Sequence, residues 1–334
     1  APNPEADYSN FWAPEESRLQ EGQIFGRIPA ALQSRATTIG PYWMVDNDVK
    51  QFAEWGFDYV KYDWNERIDQ EELSDYIKEH QQLPEKVGGK YAFDENQRKY
   101  EYWTKRFHDA FRASERDIIL SLSPRSTFSS APINSKYSNL WRTTNDIIDT
   151  WVSMSESFKN DHWREFQKQG HWNDPDMLQF GNKGIPNKFV RELSECRLTP
   201  DEQYTQMNLW CIIAAPLLIS CDIESMDAFT LNLLSNPEVI AINQDALGKQ
   251  GKPVVVDGDI QIWTRELADG STAIGVFNLG YATQDVSVNL ADLGLTGEYT
   301  IRDTWTHNDL GDFSGAFSQN VRGHASMLLK ASRK

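Results

Sequence analysis

The chain has 334 residues, a formal net charge of −16 at pH 7, and a composition that is 40% hydrophobic and 12% aromatic. A chain of this length can bury a large core, and one large domain with a smaller one is the natural expectation. The charge would repel nucleic-acid phosphates and anionic lipid, and no apolar run reaches bilayer length, so neither nucleic acid nor a membrane is expected as a partner and a neutral substrate fits better.

The opening, APNPEADYSNFW, carries no basic segment followed by an apolar one, so no signal peptide is read there. It starts without Met, as a processed or trimmed chain would. From about Val45 helical patterns alternate with short apolar runs. Asp48–Trp55 (DVKQFAEW) predicts a helix closed by Gly56, and Phe57–Tyr62 a strand. Tyr100–Ala113 has apolar residues at helical spacing, and Asp117–Leu122 (DIILSL) reads as the next strand. A short strand at Leu140–Arg142, a helix over Ile148–Phe158 and a segment at Gly170–Leu178 follow. Thr199 caps a helix with Pro at its first turn and acids behind it, and Pro216–Ser220 reads as an apolar strand. Strands alternating with helices predict a parallel α/β sheet or barrel.

After about Gly251 the pattern changes. VVVDGDIQIWTREL and STAIGVFNL, with Asp-Gly turns at Asp257 and Asp269, and then YTIRDTW and SMLLKA predict an antiparallel β-domain. The polar segment Asn243–Lys252, with two glycines, marks the boundary, giving residues 1–250 as the α/β domain and 251–334 as the β-domain.

Parallel barrels place their active sites at the C-terminal ends of the strands. Charged residues gather at or just beyond such ends here: Lys61 with Asp63, Arg142 with Asp146, Asp174 with Asp176, and Asp222. A single Asp in such a place more often caps a helix or pairs with a cation; two acids on different strands, with a Lys and an Arg beside them, point to chemistry. Paired carboxylates suit glycoside hydrolysis, where one acid attacks the anomeric carbon and the other protonates the leaving oxygen. The six His form no metal-spaced set, and the three Cys include an odd one and no CxxC, so no metal, other cofactor or disulfide framework is expected. Neither a Gly-x-Ser-x-Gly elbow nor a phosphate loop occurs. Of the twelve Trp and twelve Tyr, most are expected in the core, with sugar stacking as a use for some.

WGFDYVKYDWN, WRTTNDI, HWNDPDML, LTPDEQYTQMNLWCIIAAPLLIS and NPEVIAINQDALGKQG, in that order over roughly residues 45–251, resemble successive motifs of glycoside hydrolase family 27, the α-galactosidase and α-N-acetylgalactosaminidase family. The resemblance implies a (β/α)8 TIM barrel, of which this chain carries the C-terminal five strands, followed by an antiparallel β-sandwich. It implies a retaining exo-acting α-glycosidase that removes terminal α-galactose from an oligosaccharide, polysaccharide or glycoconjugate. Asp63 would be the nucleophile and Asp146 the acid/base. Lys61, two residues before Asp63 on the same strand face, would bind sugar hydroxyls and help keep Asp63 ionised, and Arg142 would act near the sugar's C2 and the acid/base. A retaining mechanism sets the two carboxyl groups about 5–5.5 Å apart. Asp176, with Asp174, would support the pocket, with a direct substrate contact as the lesser role.

The chain departs from the family in three places. The family places three further barrel strands, with an early Trp and an adjacent Asp pair, before the Lys-Tyr-Asp strand; residues 1 to about 42 are instead expected to be a loop following the third of these. Because five strands cannot close an eight-stranded barrel, roughly 100 upstream residues are expected, lying outside this chain or supplied as a separate piece. Trp64 stands where many members have a disulfide cysteine or a small residue next to one. Ser123 and Ser126, in SLSPRS, are small where α-galactosidases often carry Glu and a bulky residue, which leaves room for a 2-acetamido group, while Arg125 and the insertion between Asn65 and Ala92 can reshape the pocket. Ser123, Trp64 and Asp176 therefore join Lys61 and Arg142 as expected substrate-binding residues. The sibling specificities α-N-acetylgalactosaminidase, β-L-arabinopyranosidase and isomaltose-releasing dextranase stay open, as does a non-catalytic carbohydrate-binding protein. Resemblance alone implies an extracellular or periplasmic location.

Overall fold

The computed structural model describes residues 45–62, 83–123, 128–181, 183–184 and 193–334. The chain divides into two compact units, Ala1–Trp141 and Arg142–Lys334. Among the described residues no helix is long and apolar enough to cross a membrane.

In the first unit α1 spans Val45–Glu54, three residues ahead of the start that periodicity predicts, with Asp46 and Asp48 in its first turn where the helix dipole favours acids. It ends as expected at Gly56. That residue takes φ +82°, its N–H donates to Ala53 O (3.0 Å), and Phe57 N–H donates to Phe52 O (3.0 Å). These two bonds satisfy carbonyls of the last turn that the helix leaves open, and only Gly reaches that φ without steric cost. β1 (Tyr59–Tyr62) then runs parallel to β4 (Ile119–Leu122), with Lys61 opposite Ser121. Between them lie a small hairpin, β2 (Lys86–Val87) and β3 (Lys90–Tyr91), and helix α2 (Glu95–Arg112). Asp94 and Gln97 form a reciprocal capping box, so α2 begins five residues before the apolar period does. After α3 (Ala131–Tyr137), β5 (Leu140–Arg142) lies parallel to β4 and carries the boundary between the units.

The second unit opens with a loop that leads to α4 (Trp151–Ser155) and a 3-10 helix, Glu156–Phe166. The continuous helix expected over Ile148–Phe158 is therefore shorter. Thr150 caps α4 by accepting from Ser153 N–H, and Ile148 N–H donates to Ser153 Oγ, which holds 148–150 outside the helix. β6 (Trp172–Asp174) follows, then the short antiparallel pair β7 (Lys183–Gly184) and β8 (Leu193–Ser194).

α5 (Pro200–Ile212) starts at Thr199 as predicted, with a full capping box to Glu202. From Glu202 to Ile212 it is buried on nearly every face, and its polar side chains are correspondingly paired. Gln206 accepts from Gln179 N–H (2.9 Å), Asn208 bonds Ser326 and Trp305, and Trp210 Nε1 donates to Asp176 O (3.0 Å). Pro216–Ser220 is not a strand. Leu178 N–H donates to Leu218 O and Ser220 Oγ donates to Leu178 O, leaving a single bridge between Leu178 and Ile219. The apolar run has a strand's composition, yet beside that single bridge a side-chain hydroxyl takes the place of further ladder bonds. α6 (Ala228–Ser235) and α7 (Pro237–Asn243) complete the helices.

The predicted antiparallel domain holds β9 (Lys252–Asp257), β10 (Ile260–Glu266), β11 (Thr272–Asn278), β12 (Gln284–Asn289), β13 (Tyr299–Asp303), β14 (Asn308–Phe313), β15 (Ala316–Val321) and β16 (Ser326–Arg333). A six-stranded sheet runs β14-β13-β16-β11-β10-β9, and β12 pairs with β15. Period-two alternation sorts side chains into two cores. Ile260, Ile262, Ile274 and Val276 join Val286, Val288 and Phe317 in one; Trp263, Ala273 and Phe277 join Trp210, Ile212 and Met154 in the other. Both faces of β10 and β11 are thus covered, which is why AIGVF (Ala273–Phe277) in β11 reads as an unbroken apolar run. Each such side chain contributes about 1.5–3 kcal/mol through burial. At Gly251 a Cβ would lie 2.8 Å from both Ile212 O and Thr264 O, so the chain passes here only without a side chain.

On this domain Arg302 donates through Nε and Nη2 to both carboxylate oxygens of Glu238, each at 2.8 Å, and His307 Nδ1 lies 2.8 Å from Glu238 Oε1. The Arg302 hydrogen bonds, with His307 adding to them, pull the Glu238 carboxyl from 4.5 down to about 2. A depressed carboxylate stabilises the fold above its unfolded pKa, and that contribution is lost as pH falls from 4.5 through about 2. The stability difference between wild type and Glu238→Gln, measured by urea unfolding, is expected to shrink across that window; a difference independent of pH would contradict the pairing.

Candidate active site

In the first unit, Tyr62 packs its ring on Phe107 of α2 (centroids 4.1 Å). That face of β1 is covered by the helix, and alternation turns the half-buried Lys61 to the opposite face. Ser123, just beyond β4, is also half-buried and donates its N–H to Tyr62 O at 2.8 Å. Lys61 and Ser123 thus stand at the C-terminal ends of neighbouring parallel strands. Asp63 and Trp64 lie outside the described residues, as do Arg125 and Ser126.

In the second unit, Arg142, Asp146 and Asp176 come together. Arg142, the last residue of β5, has a side chain only 5% exposed, and its Nη2 lies 2.6 Å from Asp176 Oδ2. The same nitrogen is 3.3 Å from Asp146 Oδ1 and 3.3 Å from Thr144 O. The two carboxylates differ sharply in setting, the side chain of Asp146 being 97% exposed and that of Asp176 10%. Asp176 makes the close, buried contact and Asp146 the longer one on the solvent side.

Asp176 does more than pair with Arg142. Its Oδ2 accepts from Ile147 N–H (3.0 Å) and its Oδ1 from Met177 N–H (2.8 Å), while its own N–H donates to Asp174 Oδ1 (2.8 Å). It holds φ +91°, a rare backbone state for a residue with a Cβ, fixed by these four contacts and the bond from Trp210 to its carbonyl. Thr143 N–H reaches Asp174 O (2.9 Å) and Thr144 Oγ1 reaches Pro175 O (2.9 Å). The loop that carries Asp146 is therefore laced to the Asp-Pro-Asp turn along its length.

Sequence reasoning did not find Asp149, whose carboxylate accepts from Arg197 N–H (2.9 Å), Nε (3.0 Å) and Nη2 (2.6 Å) and ties down the far end of that loop. No local signal marks a pair 48 residues apart. Asp222 holds a turn, accepting from Ser225 N–H at 3.0 Å. Among the described residues no group of three His, Cys, Asp or Glu side chains gathers as a metal site would.

Parallel strands with acids and cations at their C-terminal ends, followed by an antiparallel sandwich, define the class of barrel glycosidases. Residues 30–245 match the family model described as alpha galactosidase A, and residues 257–331 match the alpha galactosidase C-terminal beta sandwich domain. The chain is 33% identical over 292 residues to α-galactosidase 2 of Arabidopsis thaliana, covering 86% of this chain and 63% of that protein. It is 35% identical over 288 residues to the α-galactosidase of Coffea arabica, covering 85% and 65%. Among solved structures, the family 27 β-L-arabinopyranosidase of Geobacillus stearothermophilus superposes with a TM-score of 0.71 at 30% identity, covering 86% of this chain and 60% of that one. The chain belongs to glycoside hydrolase family 27, with its (β/α)8 barrel and C-terminal β-sandwich. It spans less than two thirds of the length of these two α-galactosidases.

Proposed function

We propose that this protein is a retaining exo-α-glycosidase that hydrolyses terminal α-galactosyl residues, with Asp63 as nucleophile and Asp146 as acid/base. The observation that carries the reading is the Arg142 cluster: at the end of a parallel strand, Asp176 takes the close buried contact with the guanidinium and leaves Asp146 facing solvent at the longer one. Family membership supports the same roles. Asp63 attacks the anomeric carbon while Asp146 gives its proton to the departing oxygen, forming a galactosyl ester on Asp63. Asp146, now a carboxylate, takes a proton from water as that water's oxygen attacks the anomeric carbon and frees Asp63. In this reading Lys61, two residues before Asp63 in sequence, favours the charged nucleophile and binds hydroxyls.

In this reading residues 1–250 belong to the catalytic barrel and 251–334 to the sandwich, the substrate is a galactosyl oligosaccharide or glycoconjugate, and the protein works outside the cytoplasm. A second reading, a sibling specificity, is favoured by the small side chain at Ser123 and by the likeness to an arabinopyranosidase. A panel of nitrophenyl α-galactoside, α-N-acetylgalactosaminide and β-L-arabinopyranoside decides. The galactoside is expected to give the highest kcat/KM; a higher value for either of the others would move the assignment to that sugar, and galactose binding without turnover of any would make the protein a lectin.

A further inference from the structure

The loop that bears Asp146 runs straight into α4, whose first residue is Trp151. The indole of Trp151 lies flat against the imidazole of His324, with ring centroids 3.9 Å apart and planes at 12°. His324 belongs to the turn between β15 and β16 of the sandwich. Its side chain is 12% exposed, and its Nδ1 lies 2.7 Å from Oε1 of Glu202. Glu202 is held in turn, its other oxygen accepting from Thr199 N–H at 2.8 Å. His324 N–H donates to Gly280 O (3.0 Å), its carbonyl accepts from Thr205 Oγ1 (2.7 Å), and Tyr281 flanks the ring at 4.7 Å. Beside it Arg322 binds Asp201.

His324 adopts φ +58°. A non-glycine residue keeps that backbone only where its surroundings over-determine it, and such positions gather at functional sites. Here the constraint delivers one flat ring onto the first residue of α4. The loop is also pinned by Asp149 to Arg197, by Ile147 to Asp176 and by Thr143 and Thr144 to the Asp174–Pro175 turn, and Trp151 is a point where the sandwich touches the segment that presents Asp146.

We propose that His324 is a positioning residue: through its stack on Trp151, the C-terminal sandwich sets the orientation of the Asp146 loop for proton delivery to the leaving group. The inference rests on Asp146 being the general acid. A proton donor contributes about 10²–10⁴-fold, and a displacement of about 1 Å can cost about 100-fold, so a loosened loop is expected to act mainly on substrates whose leaving oxygen needs the proton.

The test compares kcat/KM on a poor leaving group, methyl α-galactoside, with that on an activated one, a dinitrophenyl α-galactoside. His324→Asn removes the ring while tolerating positive φ, and Trp151→Ala removes its partner. Both are expected to lose about tenfold or more on the methyl glycoside and less than about twofold on the activated one, with Trp151→Phe, which keeps a flat ring, restoring most of the loss. Equal losses on both substrates would mean a merely structural role and overturn the proposal, as would no loss on either. Thermal melts of each variant confirm folding. Asp146→Ala serves as the control: if it lacks the leaving-group dependence, the assignment of Asp146 fails; if it has the dependence and His324→Asn does not, the positioning role alone fails.

Discussion

Asp63→Ala is expected to lower turnover of a nitrophenyl α-galactoside by on the order of 10⁴-fold or more, the scale on which enzymes lose activity when a covalent nucleophile is removed. An alanine cannot form the galactosyl ester. Asp63 follows Lys61 by two residues in sequence, just after β1, whose last residue Tyr62 packs its ring on Phe107. The described packing of Tyr62 on Phe107 does not involve the Asp63 side chain. Circular dichroism and the melting temperature should accordingly stay close to wild type. Undiminished activity in a folded Asp63→Ala protein would remove Asp63 from the mechanism.

Asp176→Ala is expected to act on stability as strongly as Asp63→Ala acts on rate. The side chains of Arg142 and Asp176 are 5% and 10% exposed, and removing one partner of a buried pair costs about 3–5 kcal/mol because the other charge is left uncompensated. Ile147 and Met177 lose the acceptors for their N–H groups as well. A drop in melting temperature on the order of 10 °C follows for a unit of this size. Asp176→Asn tolerates positive φ and keeps one acceptor oxygen, so it should lose less stability while still slackening Arg142. A change within about 1 kcal/mol for Asp176→Ala would mean that the pair behaves like a surface ion pair and that the Asp146 loop is held by other means.

Local chemistry was legible wherever a residue acts within a few positions of itself. Gly56 closes α1, Thr199 with Pro200 and Glu202 opens α5, and the alternation in β10–β12 reports the sandwich. The strand ends that present Lys61 and Arg142 were legible by motif. The start of α2 was written in Asp94 and Gln97, but its polar first turn hides from a search for apolar spacing. Pro216–Ser220 has the composition of a strand and meets its neighbour through a hydroxyl, a choice that only the tertiary setting makes.

The rest of the candidate site depends on contacts between distant segments. The family resemblance implies a pocket-supporting Asp176, while its bond from Ile147 spans 29 residues and its positive φ is imposed by the fold, neither of which a motif reports. Asp149, Arg197, Trp151 and His324 carry no motif; they become a frame for Asp146 only when α4, the start of α5 and the β15–β16 turn are brought together.

The central claim, an α-galactosyl transfer through an ester on Asp63, is tested most directly by proton NMR of the first sugar released from nitrophenyl α-galactoside, before mutarotation. Double displacement predicts α-galactose as the initial product, with the β-anomer growing in later. β-Galactose appearing first would mean a single displacement by water and would contradict the account.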